Sequence, residues 1–219
     1  MMLKKRYFLT CLILVVNTVN LGGCQKDIDY KKSLISAKEC CQSYSDLKYR
    51  KLIFEQSIDY HIGDENSEAM FFPEGKSFFA AVQLPDYKGP YEVQIDSLPI
   101  HNKLFVPTML HLNKNYEVIK KTVDSSFEYS NGRSSYRFFI NEEDKQNKYI
   151  ILYTRTGIVG KQNQAITTSQ STVPIYAGGY VLYYTSHSEQ KNAIKNARGG
   201  NLNISALEYK LRKIEQAKD

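Results

Sequence analysis

Short runs of alternating apolar and polar residues recur through the middle of this chain, and they constrain its fold more than any other feature. In the segments 77–84 (SFFAAVQL) and 91–96 (YEVQID), every second side chain is apolar and falls on one face of an extended chain. This period of two predicts β-strands that are buried on one side. Similar runs occupy residues 105–112, 116–119, 136–140, 149–153 and 180–184.

The residues between these runs favour antiparallel pairing. Asn131-Gly132 suits a type I′ hairpin turn, because such a turn needs positive φ at both central residues. Pro107 has no N–H to donate to a ladder, so we expect it to begin its strand or to lie on an edge. Short strands at regular spacing, with few long helical patterns, predict an all-β fold, an antiparallel β-sandwich that is jelly-roll-like.

One helix is predicted before the first strand. Leu34, Ala37 and Cys41 recur at helical spacing and indicate a short helix within residues 33–41. Later in the chain, residues 161–172 (KQNQAITTSQST) are polar and show no period. That composition predicts a long surface loop.

The end of the chain is also predicted to be helical. Residues 189–198 are compatible with a helix that Gly199-Gly200 would stop. Ser205 and Glu208 have the spacing of a capping box, which would open a terminal amphipathic helix. We expect that helix to dock on its own domain through its apolar stripe.

The N-terminus has the pattern of a secretory signal peptide: a basic start at Lys4–Arg6, a short apolar run and a small-residue exit. Leu21–Cys24 is moreover similar to the bacterial lipobox, in which cleavage precedes the cysteine and the thiol is lipidated. The alternative is an ordinary signal peptide cut elsewhere, with Cys24 a plain thiol. The predicted organisation is a signal peptide (1–23), a lipidated tether (24–32), a β-sandwich domain with an N-terminal helix (33–185) and a C-terminal helical segment (186–219).

A lipidated Cys24 would make the bilayer the protein's first partner, since several acyl chains together give stable attachment. Gln25 resembles the residue at this position in outer-membrane lipoproteins, which predicts a location on the periplasmic side of the outer membrane. Removing three basic residues with the signal leaves 26 Lys and Arg against 23 Asp and Glu. This balance is too mild to argue for nucleic-acid binding.

Two cysteines remain in the folded part, the adjacent pair Cys40 and Cys41. Neighbouring α-carbons are about 3.8 Å apart, below the usual disulfide range, so a vicinal bridge would be strained. A vicinal bridge, an intermolecular bridge and two buried thiols all stay open. We predict no metal site and no cofactor, because the histidines stand alone and no Cys-x-x-Cys is present. The four histidines are His61, His101, His111 and His187.

The sequence offers little catalytic chemistry. No Gly-x-Ser-x-Gly nucleophile motif occurs, and the four histidines have no evident partners. We expect His111, between Leu110 and Leu112, to point to the solvent side of its strand. The acidic run 142–144 is interpreted as a charged turn. The protein is therefore predicted not to be an enzyme.

Aromatic residues are the one chemical resource in excess, with 17 Tyr, 10 Phe and no Trp. Tyr176, Tyr180, Tyr183 and Tyr184 are concentrated in IYAGGYVLYY, and tyrosine rings can stack on sugars while their hydroxyl groups form hydrogen bonds. Core packing is the ordinary explanation, because tyrosine is common in strands. By alternation, at least one face of this strand should belong to the core.

Four segments resemble the MalM-type maltose-operon periplasmic protein family: CCQSYSDLKY, GKSFFAAVQLP, FVPTMLHLNKNY and KYIILYT. The resemblance extends over roughly residues 40–185. It implies a secreted, β-rich envelope protein, associated in some bacteria with maltodextrin uptake, and it implies no catalytic residues. The lipobox and the Cys40-Cys41 pair depart from the maltose-operon type.

These observations favour a non-enzymatic envelope lipoprotein that serves as a periplasmic accessory or binding module, linked to carbohydrate uptake and contacting a glycan or an envelope protein. One alternative is an envelope glycan hydrolase, which would need two carboxylates about 5 to 9.5 Å apart in a tyrosine-lined cleft. The other is a purely structural tether or assembly partner. An exposed apolar patch larger than several hundred Å², without a concave pocket, would favour that alternative.

Overall fold

β-Strands make up most of the chain that the computed structural model describes, which is residues 29–209 without 131 and 132. The helical elements in this part are α1 (Tyr30–Ser36) and the 3-10 helices Tyr44–Asp46, Asp124–Ser126, Glu142–Asp144 and Thr156–Ile158. The strands are β1 (Arg50–Lys51), β2 (Ser57–Ile62), β3 (Ala69–Phe72), β4 (Gly75–Gln83), β5 (Tyr91–Leu98), β6 (Lys103–Phe105), β7 (Thr108–Leu112), β8 (Val118–Thr122), β9 (Glu128–Ser130), β10 (Arg133–Ile140), β11 (Tyr149–Tyr153), β12 (Gln162–Ala177), β13 (Tyr180–Ala197) and β14 (Gly200–Glu208).

Two sheets face each other and form the sandwich. The first has the order β1-β4-β11-β7-β8, with β3 also paired to β4, and the second has the order β2-β14-β5-β10-β9. Neighbouring strands are antiparallel except for β1 and β4, which run parallel. The predicted all-β antiparallel sandwich is therefore confirmed. A third, smaller sheet joins β12, β13 and β6.

The core lies between the two large sheets and is built from the alternating faces that the sequence predicted. Phe78 and Val82 of β4 belong to the same core cluster as Val93 and Ile95 of β5, and all four side chains are fully buried. Burying a side chain of this size stabilises the fold by about 1.5 to 3 kcal/mol. The period of two therefore fixes which face of each strand packs inward.

A second cluster lies on the outer face of the first sheet and is covered by the segment 40–51. We call it the outer aromatic cluster, and it explains why β11 is buried on both faces. The rings of Phe72 and Tyr153 stack with centroids 3.9 Å apart and an interplanar angle of 4°. Its aromatic members are Tyr44, Tyr49, Phe72, Phe79, Tyr116, Tyr149 and Tyr153.

Helix α1 begins earlier and ends sooner than predicted. The Asp29 side chain caps it by accepting hydrogen bonds from the backbone N–H groups of Lys31 and Lys32, both at 3.1 Å. Tyr30 and Leu34, four residues apart, are its buried residues. The predicted helix over 33–41 is therefore wrong in its bounds. The observed helix begins at Tyr30, inside the stretch 24–32 that was predicted to be the tether.

The chain end is β-structure where helices were predicted. Residues 189–198 lie almost entirely in β13, and Ser205 and Glu208 lie in β14 rather than in a capping box. In β14, buried residues alternate with partly exposed ones, because successive side chains of a strand point to opposite faces of the sheet. The strand pairs with both β2 and β5. The predicted loop over 161–172 is also wrong, since residues 162–172 belong to β12.

Two predictions about local chain direction hold. β9 and β10 pair antiparallel, with Ser130 opposite Arg133, as the Asn131-Gly132 hairpin requires. The two turn residues themselves lie outside the described part of the chain. Pro107 precedes the first residue of β7, Thr108, and so begins its strand without interrupting a ladder.

Candidate interaction site

A long two-stranded hairpin extends from the sandwich, and we call it the arm (162–197). Its strands β12 and β13 pair over 16 residues, from Gln162 opposite Lys195 to Ala177 opposite Tyr180. Gly178 and Gly179 form the turn with φ values of +55° and +86°. Positive φ at both positions is what a type I′ hairpin turn needs, and glycine supplies it without strain. At about 3.3 Å per residue the arm is about 50 Å long.

The base of the arm is fixed to the domain. Lys195–Ala197 of β13 pair in parallel with β6. Ile194 is buried and packs with Leu104, Val106 and Ile158. Apolar packing and strand pairing therefore hold the arm at its base.

Towards its turn the arm stands in solvent. The side chains of 170–176 and 180–188 are all exposed. Tyr176 and Tyr180, next to the turn, are each 77% exposed, and Tyr183 is 73% exposed. We call residues 173–184 the tip. Its exposed large apolar residues are Val173, Ile175, Tyr176, Tyr180, Val181, Leu182, Tyr183 and Tyr184.

The tip is apolar on both faces. Ile175 lies opposite Leu182 on one face, and Tyr176 lies opposite Val181 on the other. The expectation that at least one face of this strand belongs to the core is wrong. No further strand or helix of the described chain covers the tip, since β13 pairs with β6 only at the base.

Charge is missing from the arm over most of its length. No Asp, Glu, Lys or Arg occurs from Gln162 to Ser188. Within the tip, tyrosine hydroxyl groups are the only polar side-chain groups. The arm therefore changes from a polar stalk rich in Ser, Thr and Gln to an uncharged apolar tip.

The tip exposes an unusually large apolar surface for one element. A tyrosine buries about 150 to 250 Å² when it is covered, so the eight large side chains leave on the order of 1,000 Å² open to a partner. The largest apolar patch of a typical monomer is about 300 to 600 Å². The outer edges of the two strands also carry backbone groups that can pair with another strand. The tip can thus bind an apolar surface, a strand or both.

The sequence identified the four tyrosines but missed the arm and the aliphatic residues beside them. Val173, Ile175, Val181 and Leu182 share the exposed tip. The signal was present, because two apolar runs separated by Gly178-Gly179 have the pattern of a tight hairpin. The polar stretch before the tip hid the hairpin, since residues 161–172 show no alternation of apolar and polar residues.

The four histidines are not brought together. His61 Nδ1 lies 2.8 Å from Asn201 Oδ1 on β14. His101 lies in the turn before β6 with φ of +46°, and His187 is exposed on β13. In the described residues, no group of three or more His, Cys, Asp and Glu is positioned to hold a metal ion.

His111 is buried rather than solvent-facing, which corrects the prediction from its neighbours. Only 1% of the residue is exposed, and Nε2 lies 3.2 Å from Thr122 Oγ1. Its ring meets the Phe138 ring edge to face at 5.1 Å. Burial, together with the nearby Lys120 charge, lowers the pKa of His111 from 6.5 to about 4. The ring is therefore neutral and belongs to the core.

The acidic residues of the 142–144 turn are solvent-exposed or nearly so, and Glu142 pairs with Lys145. An open concavity of ≈ 550 Å³ lies elsewhere, on the second sheet, lined by residues that include Glu128, Arg133, Tyr136 and Arg137. It has one carboxylate and one tyrosine in its wall. This one concavity therefore lacks the paired carboxylates that glycoside hydrolysis uses.

Cys40 and Cys41 form a vicinal disulfide in the structure, one of the three states left open. The pair packs against the outer aromatic cluster. Cys24, the predicted lipidation site, lies outside the described residues. Within the described range, no helix is long and apolar enough to cross a membrane.

Comparison with known proteins identifies one family. The model of the maltose operon periplasmic protein precursor (MalM) family matches residues 74–173, which are 100 of the 219 residues. The match confirms the resemblance to the MalM-type family over these residues. It runs from just before β4 to the first residue of the tip. No curated protein and no solved structure matches the chain.

Proposed function

We propose that the protein is a non-enzymatic lipoprotein of the periplasm, held to the outer membrane through Cys24, that binds an envelope partner with the tip of its arm. The single observation that carries this proposal is the uncharged apolar tip, exposed on both faces. An exposed apolar surface of this size marks an interaction site. The partial match to the maltose operon periplasmic protein family supports a link with maltodextrin uptake.

The position of the arm base suits a tethered module. A Cβ at Gly199, two residues after β13, would clash with the Tyr30 ring, so α1 starts beside the arm base. Tyr30 follows Cys24 by six positions, and a chain of this length spans at most about 20 Å. A lipid on Cys24 would hold the arm base that close to the bilayer. An arm of about 50 Å then reaches partners well beyond the tether.

Glycan binding by the same tip is the second candidate. Three tyrosines of the tip are at least 73% exposed, and such rings can stack on sugars. Between Val173 and Tyr184, however, no side-chain carboxylate, amide or guanidinium is present to hydrogen-bond sugar hydroxyl groups. A protein surface therefore fits the tip better than a glycan does.

The anchor is tested by palmitate labelling of the full chain. We expect the wild-type protein to incorporate palmitate and to fractionate with the outer membrane. Cys24→Ser should lose both properties, while Cys40→Ser with Cys41→Ser should keep both. Palmitate on the Cys24→Ser variant would disprove the lipidation.

The role of the tip is tested by maltodextrin uptake in cells that lack the chromosomal gene. Leu182→Ser with Tyr183→Ser makes the tip polar without touching the sandwich. The matched control is Ile53→Ser with Phe139→Ser, since these side chains are 50% and 48% exposed outside the arm. We expect the tip variant to lower uptake at least threefold and the control to match the wild type. Equal uptake with all three proteins would show that the tip has no role in maltodextrin uptake.

A further inference from the structure

The open edge of β13 is the feature of the arm that points to a specific partner. Among the described residues, β12 pairs only with β13, and β13 pairs with β6 only over Lys195–Ala197. Beyond the base, both outer edges of the ribbon are therefore unpaired. An isolated two-stranded hairpin is at best marginally stable in water, and additional strands stabilise it.

The two edges are not equally protected. Proteins protect open edges with charges, prolines or bulges. On β12, Pro174 removes one backbone donor inside the tip. On β13, the run from Tyr180 to Ser188 contains no proline and no charge. The edge of β13 is thus the one that accepts a further strand.

The chemistry of the tip selects among possible occupants. Lipid tails do not suit it, because open sheet edges do not occur in the hydrocarbon region of a bilayer. A sugar does not suit the four aliphatic side chains of the tip. A β-strand satisfies both requirements, since it pairs with the free backbone groups and brings side chains against the apolar ones.

The sequence of β13 is complementary to itself. If two copies pair antiparallel about Leu182, Leu182 lies opposite its own copy, Tyr180 lies opposite Tyr184, and Val181 lies opposite Tyr183. All five cross-strand pairs are then apolar or aromatic, which is the favourable type. Pairing about Tyr184 would instead place Leu182 opposite Ser186.

We infer that the partner of the tip is a second copy of this chain, joined through β13 about a two-fold axis at Leu182 into a sheet of order β12-β13-β13-β12. This inference rests on the proposed function of the arm as the binding element. A two-fold contact of this kind uses the same surface on both copies and so closes at a dimer. No charge in the tip opposes the approach of two copies.

Site-specific disulfide trapping in the full chain tests the register. With Leu182→Cys, opposite α-carbons in the dimer would lie about 4.5 to 5.5 Å apart, within disulfide range. Oxidation by copper phenanthroline should then give a covalent dimer as the main product. The matched control is Ile175→Cys, the cross-strand partner of Leu182 on β12, which is 48% exposed against 59%. The two copies of residue 175 would be about 14 Å apart, three strand spacings, and should stay at least tenfold less linked.

Charge exchange at the axis provides an independent test. Leu182→Lys and Leu182→Glu, expressed singly, should each reduce chemical cross-linking of dimers at least tenfold, because like charges would meet. Coexpression of the two should restore dimers that contain one of each. No dimer with the wild-type chain, equal disulfide trapping at residues 175 and 182, or no recovery on coexpression would each overturn the inference. If the uptake test succeeds while trapping fails, the tip binds a different protein and the proposed function stands.

Discussion

The outer aromatic cluster and the tip of the arm are both rich in tyrosine, yet they meet opposite environments. Tyr153 of the cluster is 1% exposed, whereas Tyr176 of the tip is 77% exposed. The segment 40–51 covers the cluster, and no described element covers the tip. The same residue type therefore serves as core in one region and as open surface in the other.

The hydroxyl groups of the cluster show what burial requires. Tyr49 donates a hydrogen bond to the Tyr44 carbonyl oxygen at 2.8 Å, and Tyr153 donates one to a Glu74 carboxylate oxygen at 2.7 Å. Burial raises the pKa of Tyr153 far above its ordinary value, and the hydrogen bond to Glu74 raises it further. Partners inside the protein replace water there. The tip tyrosines keep their exposure and are available to a partner from outside.

The largest predicted effect comes from removing a cluster ring. Tyr153→Ala should lower the free energy of unfolding by about 3 to 5 kcal/mol, because it leaves a cavity beside Phe72. Urea denaturation followed by circular dichroism measures it, since the chain has no tryptophan. A loss below about 1 kcal/mol would show that the cluster is not a core.

The next effect is the pH dependence of the core at His111. The pKa of the ring falls from 6.5 to about 4 on folding, so the unfolded chain binds this proton more tightly. Above pH 6.5 the ring is neutral in both states and has no effect. As the pH falls from 6.5 to 4, the free energy of unfolding should drop by about 3 kcal/mol. His111→Leu should remove this part of the pH profile in urea titrations, and an unchanged slope would contradict the assignment.

A smaller effect is expected from one hydroxyl group. Tyr153→Phe keeps the ring but removes the hydrogen bond to Glu74, so it should lower the free energy of unfolding by about 1.5 kcal/mol. Tyr183→Phe in the tip is the matched control. If both variants lost the same free energy of unfolding, the tyrosine hydroxyl groups of the cluster and of the tip would not differ in their contribution to stability.

The smallest effect belongs to the tip. Tyr183→Ala should change the free energy of unfolding by less than about 0.5 kcal/mol at protein concentrations where the chain is monomeric, because the side chain is 73% exposed. Urea denaturation at two protein concentrations measures it. A loss of more than about 2 kcal/mol at the lower concentration would mean that the tip packs on its own domain.

Parts of the site were within reach of sequence reasoning. The four tyrosines of the tip were singled out, and Gly178-Gly179 contained the hairpin signal. The length of the arm was not predictable by alternation, because the polar residues 161–172 show no period of two. The burial of His111 was missed because β7 is buried on both faces, so alternation with Leu110 and Leu112 does not imply solvent.

The chain end shows a similar limit. Ser205 and Glu208 have the spacing of a capping box, but Leu202, Ile204 and Ala206 have the spacing of a strand. Both patterns are present in the same short segment. Pairing with β2 and β5 decided between them, and those partners are distant in the sequence.

The sequence by itself determined the two-layered β-architecture and the inward faces of β4 and β5, because side-chain alternation is a local property of an extended chain. Only the tertiary structure decided which tyrosines became core and which became the tip. Whether a strand face is covered depends on segments far away in the chain, such as 40–51 over β11. The alternation of side chains along one strand therefore does not show whether a segment distant in the sequence will cover it.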